Sequence, residues 1–479
     1  MAREMVVYAA AVAVTRGVSL ALTPAYTRLL DPVEFGALET LQVTRQLTLI
    51  ALALGMRQAV LRFYELRDRE TTGVSHLVSS ALLVPTVLGT ILVGVGIAFA
   101  PLISFALVGD AALGTVVVLV LAAAAMEAIL EIGLQVFRAR GQVWVYASFL
   151  AGTTVVFGLG ALALVFGGQG LPGIFGARFG VFAAGATLAL VIVIRRTGFH
   201  PDRKLLGQLL RFGVPFVPAA LCWMVVQASD RYFLAHLVGL EEVARYAVAV
   251  RTSSLIGFSI VAPFQLAWPP RAYRMHANQR AALPAIAGNA VSWLGALLLL
   301  ASFTVVVLSP DIVAVLGGDR YLGVHTLVPV LCLTWPGLAV YYWAGTLIQT
   351  TTSSLRIAVI ALLAASMNVV LNAALIPSMG ALGAAAASAI ATGSGGLLSI
   401  VWLRGRSLAT PQWGRLGVLF LLAALAGALA LWLLGESALQ RRVLGGAGLV
   451  VLAAALASPL FATKEERARA LRLLRRDAA

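Results

Sequence analysis

Long apolar runs separated by short polar turns fill the chain almost from end to end. A helix needs about 20 predominantly apolar residues to cross the roughly 30 Å of hydrocarbon in a bilayer. By that criterion the pattern predicts about fourteen spans. They lie near residues 5–28, 37–60, 74–99, 112–137, 143–166, 172–194, 212–235, 244–267, 284–308, 324–348, 356–376, 381–403, 415–434 and 443–461. We therefore predict an all-α membrane protein.

Composition excludes a soluble protein. Of the 479 residues 60% are hydrophobic and 11% are charged, and the mean hydropathy is +0.94, whereas soluble domains carry about 25% charged residues. The first apolar run is longer than the core of a signal peptide and no cleavage site follows it, so we expect an uncleaved first helix. Cys222 and Cys332 lie in apolar spans and are expected to be small core residues.

Basic residues are distributed unevenly between the two ends of the predicted helices. Loops on one side, together with Arg3 and the stretch after residue 462, hold 24 of the 35 Lys and Arg, and loops on the other side hold five. The positive-inside rule then places both termini in the cytoplasm, which an even number of spans satisfies. The net charge of +15 therefore indicates membrane topology and gives no reason to expect a nucleic-acid partner.

Two short motifs recur at nearly one offset. The sequence DPVEFG at 31–36, after the first span, corresponds to GLEEVA at 239–244, after the seventh, an offset of 208. GLPG at 170–173 corresponds to GALG at 380–383, an offset of 210. The shared offset predicts two six-helix lobes of the same orientation, related by a pseudo-two-fold axis along the membrane normal, with two further C-terminal helices.

This repeat predicts five segments. They are an N-terminal lobe over 1–196, a cytoplasmic linker over 197–211, a C-terminal lobe over 212–404, extra transmembrane helices over 405–462 and a basic cytoplasmic tail over 463–479. The tail is expected either to form a short helix on the membrane surface or to be a solvated segment that sets topology.

Ten charged residues fall inside the predicted spans, where each is expected to face a cavity, a partner or an interface. They are Arg16, Arg45, Arg57, Arg178, Arg231, Arg251, Glu39, Glu127, Glu131 and Asp230. Arginine is in excess. Because arginine binds phosphate bidentately and stays ionised when desolvated, this excess suits a cavity for a phosphate-bearing substrate.

Position along the spans separates the arginines. Arg16 lies mid-span, and Arg45 and Arg251 occupy loosely corresponding places in the two repeats. We predict these three as substrate-binding residues of one cavity, with structural ion pairs as the alternative. Arg57 and Arg178 lie nearer the span ends, where a structural role is favoured.

Glu127 and Glu131 lie one turn apart on the fourth span. Two carboxylates on one helix face disfavour joint ionisation, so the pair is a candidate ion-coupling site, and ion pairs with arginines of a neighbouring helix are the alternative. Asp230 and Arg231 are adjacent on the seventh span, and we expect each to pair with another helix or an interface and not with the other.

Other polar residues predict no catalysis. Asn368 and Asn372 share one helix face and are expected to hydrogen-bond to a neighbouring helix, or alternatively to contact sugar. Neither Lys204 nor Lys464 lies in a P-loop frame, and the histidines have no metal-ligand spacing. We predict no catalytic residues, no metal, no cofactor and no enzyme activity.

Three stretches resemble one family. They are PAYTRLLDPVEFG at 24–36, the segment 212–274 with its GVPFVP, SDRYFL and WPPR motifs, and 367–385 with MNVVLN followed by IPSMGALGAA. Together they resemble the polysaccharide-transport branch of the multidrug/oligosaccharidyl-lipid/polysaccharide exporter superfamily, the lipid-linked oligosaccharide flippases. The resemblance implies a two-lobed bundle that alternates between inward- and outward-open states.

The resemblance also implies a cargo and a location. The cargo is a polyprenyl-pyrophosphate-linked oligosaccharide, moved from the inner to the outer leaflet of the cytoplasmic membrane, with arginines such as Arg16, Arg45 and Arg251 meeting the pyrophosphate or acidic sugars. Membrane lipids are implied partners, and a glycan polymerase and other polysaccharide-assembly proteins are further candidates. A cation-coupled multidrug exporter would need an acidic, aromatic-lined cavity, and a membrane-embedded glycan polymerase would need charged clusters on large external loops.

Overall fold

The computed structural model describes residues 2–66, 71–351, 355–403, 413–458 and 461. The predicted basic tail over 463–479 lies outside these residues. Within the described ranges the chain forms nineteen α-helices and no strand. They are α1 (Ala2–Leu29), α2 (Pro32–Ala53), α3 (Met56–Leu66), α4 (Thr71–Ala98), α5 (Ala100–Val108), α6 (Gly114–Ala139), α7 (Val143–Phe166), α8 (Gly170–Thr197), α9 (Arg203–Gly213), α10 (Val217–Leu237), α11 (Leu240–Ile256), α12 (Ala262–Asn278), α13 (Leu283–Gly317), α14 (Val328–Cys332), α15 (Thr334–Thr351), α16 (Leu355–Met379), α17 (Ala381–Leu403), α18 (Trp413–Leu433) and α19 (Ala438–Ala457).

Fewer helices than predicted meet the length and hydropathy criteria for a membrane span among the described residues. Ten helical segments of the described residues are long and apolar enough to span a membrane, or twelve if each of two bent pairs forms one span. One of these pairs is α2 with α3, bent by 41° where Leu54 and Gly55 adopt the left-handed conformation. The apolar part of α18, Gly417–Leu433, is shorter than the other spans. The all-α membrane fold is confirmed, whereas the count of fourteen is not.

The chain divides into two compact units, Met1–Ala247 and Val248–Ala479. In the first unit α8 packs along α6 and α7, and in the second α17 packs along α15 and α16. These helices correspond to one another in the predicted repeat, so both units pack three equivalent helices in the same order. The predicted segment boundaries at residues 196 and 212 stay a prediction.

The two GxxG turns of the repeat also share a backbone conformation. Gly170 at the start of α8 has φ +48°, and Gly380, immediately before α17, has φ +55°. Left-handed φ values favour glycine because other L-residues clash there. The matching conformations at 170 and 380 explain why glycine recurs at the two positions.

The other pair of repeated turns meets inside the first unit. Asp31 and Glu34 form a capping box at the start of α2, in which Glu34 N donates to Asp31 Oδ1 at 2.7 Å. Two residues later, Gly36 lies so close to the start of α11 that a Cβ there would overlap the backbone carbonyl of Leu240. The close approach of the two turns therefore requires a residue without a side chain at position 36.

Replacing Gly36 by alanine is expected to destabilise the protein by about 2 kcal/mol, because the overlapping partner is backbone that cannot move without shifting a helix. The matched control is Gly17→Ala in α1, where a Cβ would meet nothing within 4 Å and helix propensity favours alanine by up to about 1 kcal/mol. Thermal unfolding of the detergent-purified variants measures both. An equal change in unfolding temperature in the two variants would contradict the close contact between Gly36 and Leu240.

Candidate functional site

Helix α6 carries a group of charged side chains into the interior of the first unit. Arg45 on α2 donates from Nη1 to Glu127 Oε2 at 2.5 Å, and Arg178 on α8 reaches the same oxygen at 3.5 Å. The side chains of Arg45 and Arg178 are 9% and 13% exposed. One carboxylate therefore neutralises part of the charge of two buried guanidinium groups.

One turn further along α6, Glu131 pairs with Arg57 on α3 at 3.3 Å. The Arg57 side chain is 48% exposed, so this pair is much more open to solvent than the first. We call the five residues Arg45, Arg57, Glu127, Glu131 and Arg178 the α6 charge cluster. Its formal net charge is +1, because three arginines surround two glutamates.

Aromatic rings also pack against Arg178. Its guanidinium carbon lies 4.2 Å from the ring centre of Phe157 on α7 and 5.4 Å from that of Phe182 on α8. Cation–π contact of this kind is stronger where water is excluded. Arg178 is thus fixed by both a carboxylate and two rings, in agreement with the structural role predicted for it.

Of the two predicted roles of the glutamates, the structure shows the ion pairs with arginines of neighbouring helices. Ion coupling by Glu127 and Glu131 stays a prediction. Arg45, predicted to bind substrate, is a buried partner of Glu127, and its contact with a substrate likewise stays a prediction.

A second polar group joins α2, α10 and α11. Arg231 Nη1 lies 3.3 Å from Asp230 Oδ1, and Arg231 Nε lies 3.9 Å from Glu39 Oε2. Tyr246 donates its hydroxyl to Asp230 Oδ2 in a short hydrogen bond. Asp230 is 2% exposed, so these bonds lie in the interior of the first unit.

The prediction that Asp230 and Arg231 would not pair with each other is wrong. Adjacent Cβ atoms do diverge on a helix, but the arginine side chain is long enough to fold back along α10, where Nη1 also donates to Gln227 O at 3.2 Å. The inter-helix contact with Glu39 occurs as well.

Sequence reasoning missed the hydroxyl groups of this region. Besides Tyr246, Tyr232 on α10 shares a hydrogen bond of 2.8 Å with Thr44 on α2. A tyrosine in an apolar span is indistinguishable from an aromatic core residue until its partner is known. Tyr232 and Tyr246 are 14 residues apart and form no recognisable motif in the 212–274 segment, so the sequence did not indicate their hydrogen bonds.

The remaining predicted site residues lie elsewhere. Arg16 lies on an exposed face of α1, and Arg251 is half-buried on α11. Asn368 and Asn372 are fully buried on α16, where Asn372 Nδ2 donates to Asn368 Oδ1 at 3.1 Å. The described residues contain no group of three or more His, Cys, Asp or Glu placed to hold a metal ion.

The fold matches two kinds of solved transporter structure. "Lipid II flippase MurJ, inward closed conformation" matches at a TM-score of 0.71 and 12% identity, over 94% of this chain and 98% of that one. An inward-facing multidrug resistance MATE family transporter of the MOP superfamily matches at 0.68 and 16% identity, over 81% of this chain and 94% of that one. An outward-facing one matches at 0.58 and 16% identity, over 84% and 95%. At sequence identities of 12–16%, these similarities establish a shared fold and no more.

Sequence comparison identifies the family. No curated protein matches the sequence. Residues 1–276, more than half of the chain, match the family model described as polysaccharide biosynthesis protein. The chain is therefore a multi-pass membrane protein that shares the fold of these solved flippase and MATE transporter structures, and it belongs to the polysaccharide biosynthesis protein family.

Proposed function

We propose that the protein flips a polyprenyl-pyrophosphate-linked oligosaccharide from the inner to the outer leaflet by alternating access, for cell-surface polysaccharide synthesis. The family match over residues 1–276 carries the proposal, and a fold shared with a solved lipid II flippase supports it. The match to both inward- and outward-facing MATE transporter structures supports alternation between two states.

The charges of the first unit suit such a cargo. A pyrophosphate head cannot cross hydrocarbon unaided, because desolvating an ion costs many kcal/mol. The net positive α6 charge cluster lowers that cost for an anion. Arg45 and Arg178 lie mostly out of reach of solvent, whereas the Arg57 side chain is 48% exposed and, outside the cluster, Arg16 lies on an exposed face of α1.

The uneven distribution of Lys and Arg supports the proposed orientation, with both termini in the cytoplasm and the protein in the cytoplasmic membrane. On the less basic side, Asp311 binds Arg441 at 3.2 Å and Arg442 at 2.5 Å. Arg245 on the same side pairs with Glu241 at 3.1 Å. Three of the five basic residues on that side are thus held in ion pairs.

A second candidate function is cation-coupled multidrug export, favoured by the MATE fold match at a TM-score of 0.68. A coupling cation needs a carboxylate with free coordination. Both carboxylates of the α6 charge cluster bind arginine, but Glu131 keeps one oxygen, Oε2, without a hydrogen-bond partner. The family match over residues 1–276 therefore decides the order, and it favours the flippase over the exporter.

Flipping in proteoliposomes tests the proposal. The vesicles carry a pyrophosphate-linked lipid oligosaccharide, and an impermeant glycan-cleaving enzyme reports its arrival in the outer leaflet. We expect protein-dependent flipping that Arg16→Ala slows by at least about tenfold, the effect of losing one charge-assisted hydrogen bond to phosphate.

The control is Arg245→Ala, which removes an arginine from an exposed i,i+4 pair and is expected to leave the rate unchanged. If both variants flip as fast as the parent, Arg16 does not contact the cargo. If the parent flips no lipid glycan but exports organic cations, the flippase proposal fails and the exporter replaces it.

A further inference from the structure

The second unit contains a long cleft between α12 and α13, with a volume of about 910 Å³. Its lining runs from Ser259 and Leu297 at one end to Arg271 and Asn289 at the other. From Pro263 to Arg271, both on α12, the helix rises about 12 Å, at 1.5 Å per residue. The cleft is therefore an elongated, mainly apolar space with a polar end.

Aromatic residues build one wall of the cleft and keep it in shape. The rings of Phe264 and Trp268 stack 13° from parallel, with their centres 5.9 Å apart. Trp268 Nε1 donates to Trp343 O at 3.1 Å, and Trp343 Nε1 donates to Ala287 O at 3.1 Å. These bonds connect α12, α15 and α13, so the wall is formed in advance of any ligand.

The charged residues near the polar end of the cleft are all basic. The sequence contains no Asp or Glu between Glu242 and Asp311, whereas Arg271 and Arg274 lie on α12 and Arg280 follows just after its end. Arg271 is the one charged residue in the described lining, its side chain is exposed, and no carboxylate of the described residues pairs with it. The end of the cleft is therefore suited to an anion.

The depth of this end corresponds to lipid head groups. Helix α13 has 35 residues and is about 52 Å long, which exceeds the roughly 40–45 Å of a bilayer including its head groups. Asn289, six residues from its start, lies about 9 Å from that end. If α13 crosses the bilayer, its length places the polar end of the cleft near the membrane surface and Leu297 within the hydrocarbon.

We propose that this cleft binds an anionic phospholipid of the bilayer. Arg271 and Asn289 hold the phosphodiester, and an acyl chain lies along Phe264 and Trp268 towards Leu297. A single arginine matches a phosphodiester, which carries one negative charge, better than a pyrophosphate, which carries two or more. The lipid of this cleft is therefore distinct from the proposed cargo.

Native mass spectrometry of the full-length protein in a neutral detergent tests the site. Phosphatidylglycerol is the anionic probe and phosphatidylcholine is the neutral one. Arg271→Gln is expected to weaken phosphatidylglycerol binding by about tenfold, through loss of a charge-assisted hydrogen bond. The matched control is Arg274→Gln, since Arg274 is exposed, lies outside the lining and donates to Pro270 O at 3.2 Å. It is expected to change binding by less than about twofold.

A second pair of variants tests the part of the cleft proposed to bind the acyl chain. Ala290→Trp fills the cleft between α12 and α13, and Ala281→Trp adds the same ring at an exposed position outside it. We expect only Ala290→Trp to reduce phosphatidylglycerol binding. Equal losses in Arg271→Gln and Arg274→Gln, or equal binding of phosphatidylcholine, would overturn the proposal. Tighter binding of a polyprenyl phosphate, lost in the same variants, would assign the cleft to the lipid carrier instead.

Discussion

Replacing Glu127 by glutamine is expected to lower the free energy of unfolding by about 3 kcal/mol, because two buried arginines lose the carboxylate that compensates them. Arg45 and Arg178 both bind Glu127 Oε2. Glutamine keeps the shape and one acceptor, but it leaves two like charges in a poorly solvated interior. Thermal unfolding of the purified protein at one detergent concentration measures the loss.

The matched control is Glu131→Gln, one turn away on the same helix. Its partner Arg57 is 48% exposed and can be solvated by water instead, so the expected change is below about 1 kcal/mol. A further variant combines Glu127→Gln with Arg45→Met. If the buried charge is the cause, this double variant is more stable than Glu127→Gln alone. Equal destabilisation by Glu127→Gln and Glu131→Gln would show that the cluster contributes by packing and not by charge.

The same variants separate two roles of Arg45. If Arg45 only compensates Glu127, the double variant recovers stability and flips cargo at the parental rate. If Arg45 also contacts the phosphate, stability recovers while flipping stays slow. Comparing the two measurements on one protein therefore tests the cavity role predicted for Arg45 independently of its ion pair.

Parts of the fold follow directly from the sequence. The predicted spans at 112–137 and 143–166 correspond to α6 and α7 within two residues at each end. Short turns bound these helices, so apolar length alone locates them. The repeat was likewise visible, because its GxxG turns need glycine at left-handed positions such as Gly170 and Gly380.

Other features depend on contacts between distant residues. A continuous span predicted at 37–60 is broken in the structure at Leu54 and Gly55. A Cβ at position 55 would overlap the backbone of Gly213, at the end of α9. The bend thus reflects packing against a segment more than 150 residues away, which apolar periodicity does not encode.

The sequence was enough to identify the charged residues of the candidate site. It was not enough to predict which of them pair with each other. Charge inside an apolar span marked Arg45, Glu127 and Arg178 without any structure. Arg45 and Glu127 are 82 residues apart in the chain, and helical periodicity fixes the face of a residue but not the helix opposite it. For Asp230 and Arg231, reasoning from Cβ directions alone ignored the length of the arginine side chain.

Replacing Asp230 by alanine is expected to destabilise the first unit by about 4 kcal/mol, the range found when one partner of a buried ion pair is removed. Asp230 is 2% exposed and accepts hydrogen bonds from Tyr246 and Arg231. Its loss leaves a guanidinium with the more distant Glu39, at 3.9 Å, and a buried hydroxyl without its acceptor. The midpoint temperature of thermal unfolding and the flipping rate are both expected to fall.

Two variants divide this effect into its parts. Tyr246→Phe removes one hydroxyl bonded to the carboxylate and is expected to cost about 2 kcal/mol, so about half of the loss belongs to Arg231. Glu241→Ala is the surface control, because Glu241 pairs with Arg245 while both side chains are more than half exposed, and it is expected to cost less than about 0.5 kcal/mol. If Asp230→Ala unfolds no earlier than Glu241→Ala, the buried group does not hold α2, α10 and α11 together. These three helices must then be held together by apolar packing alone.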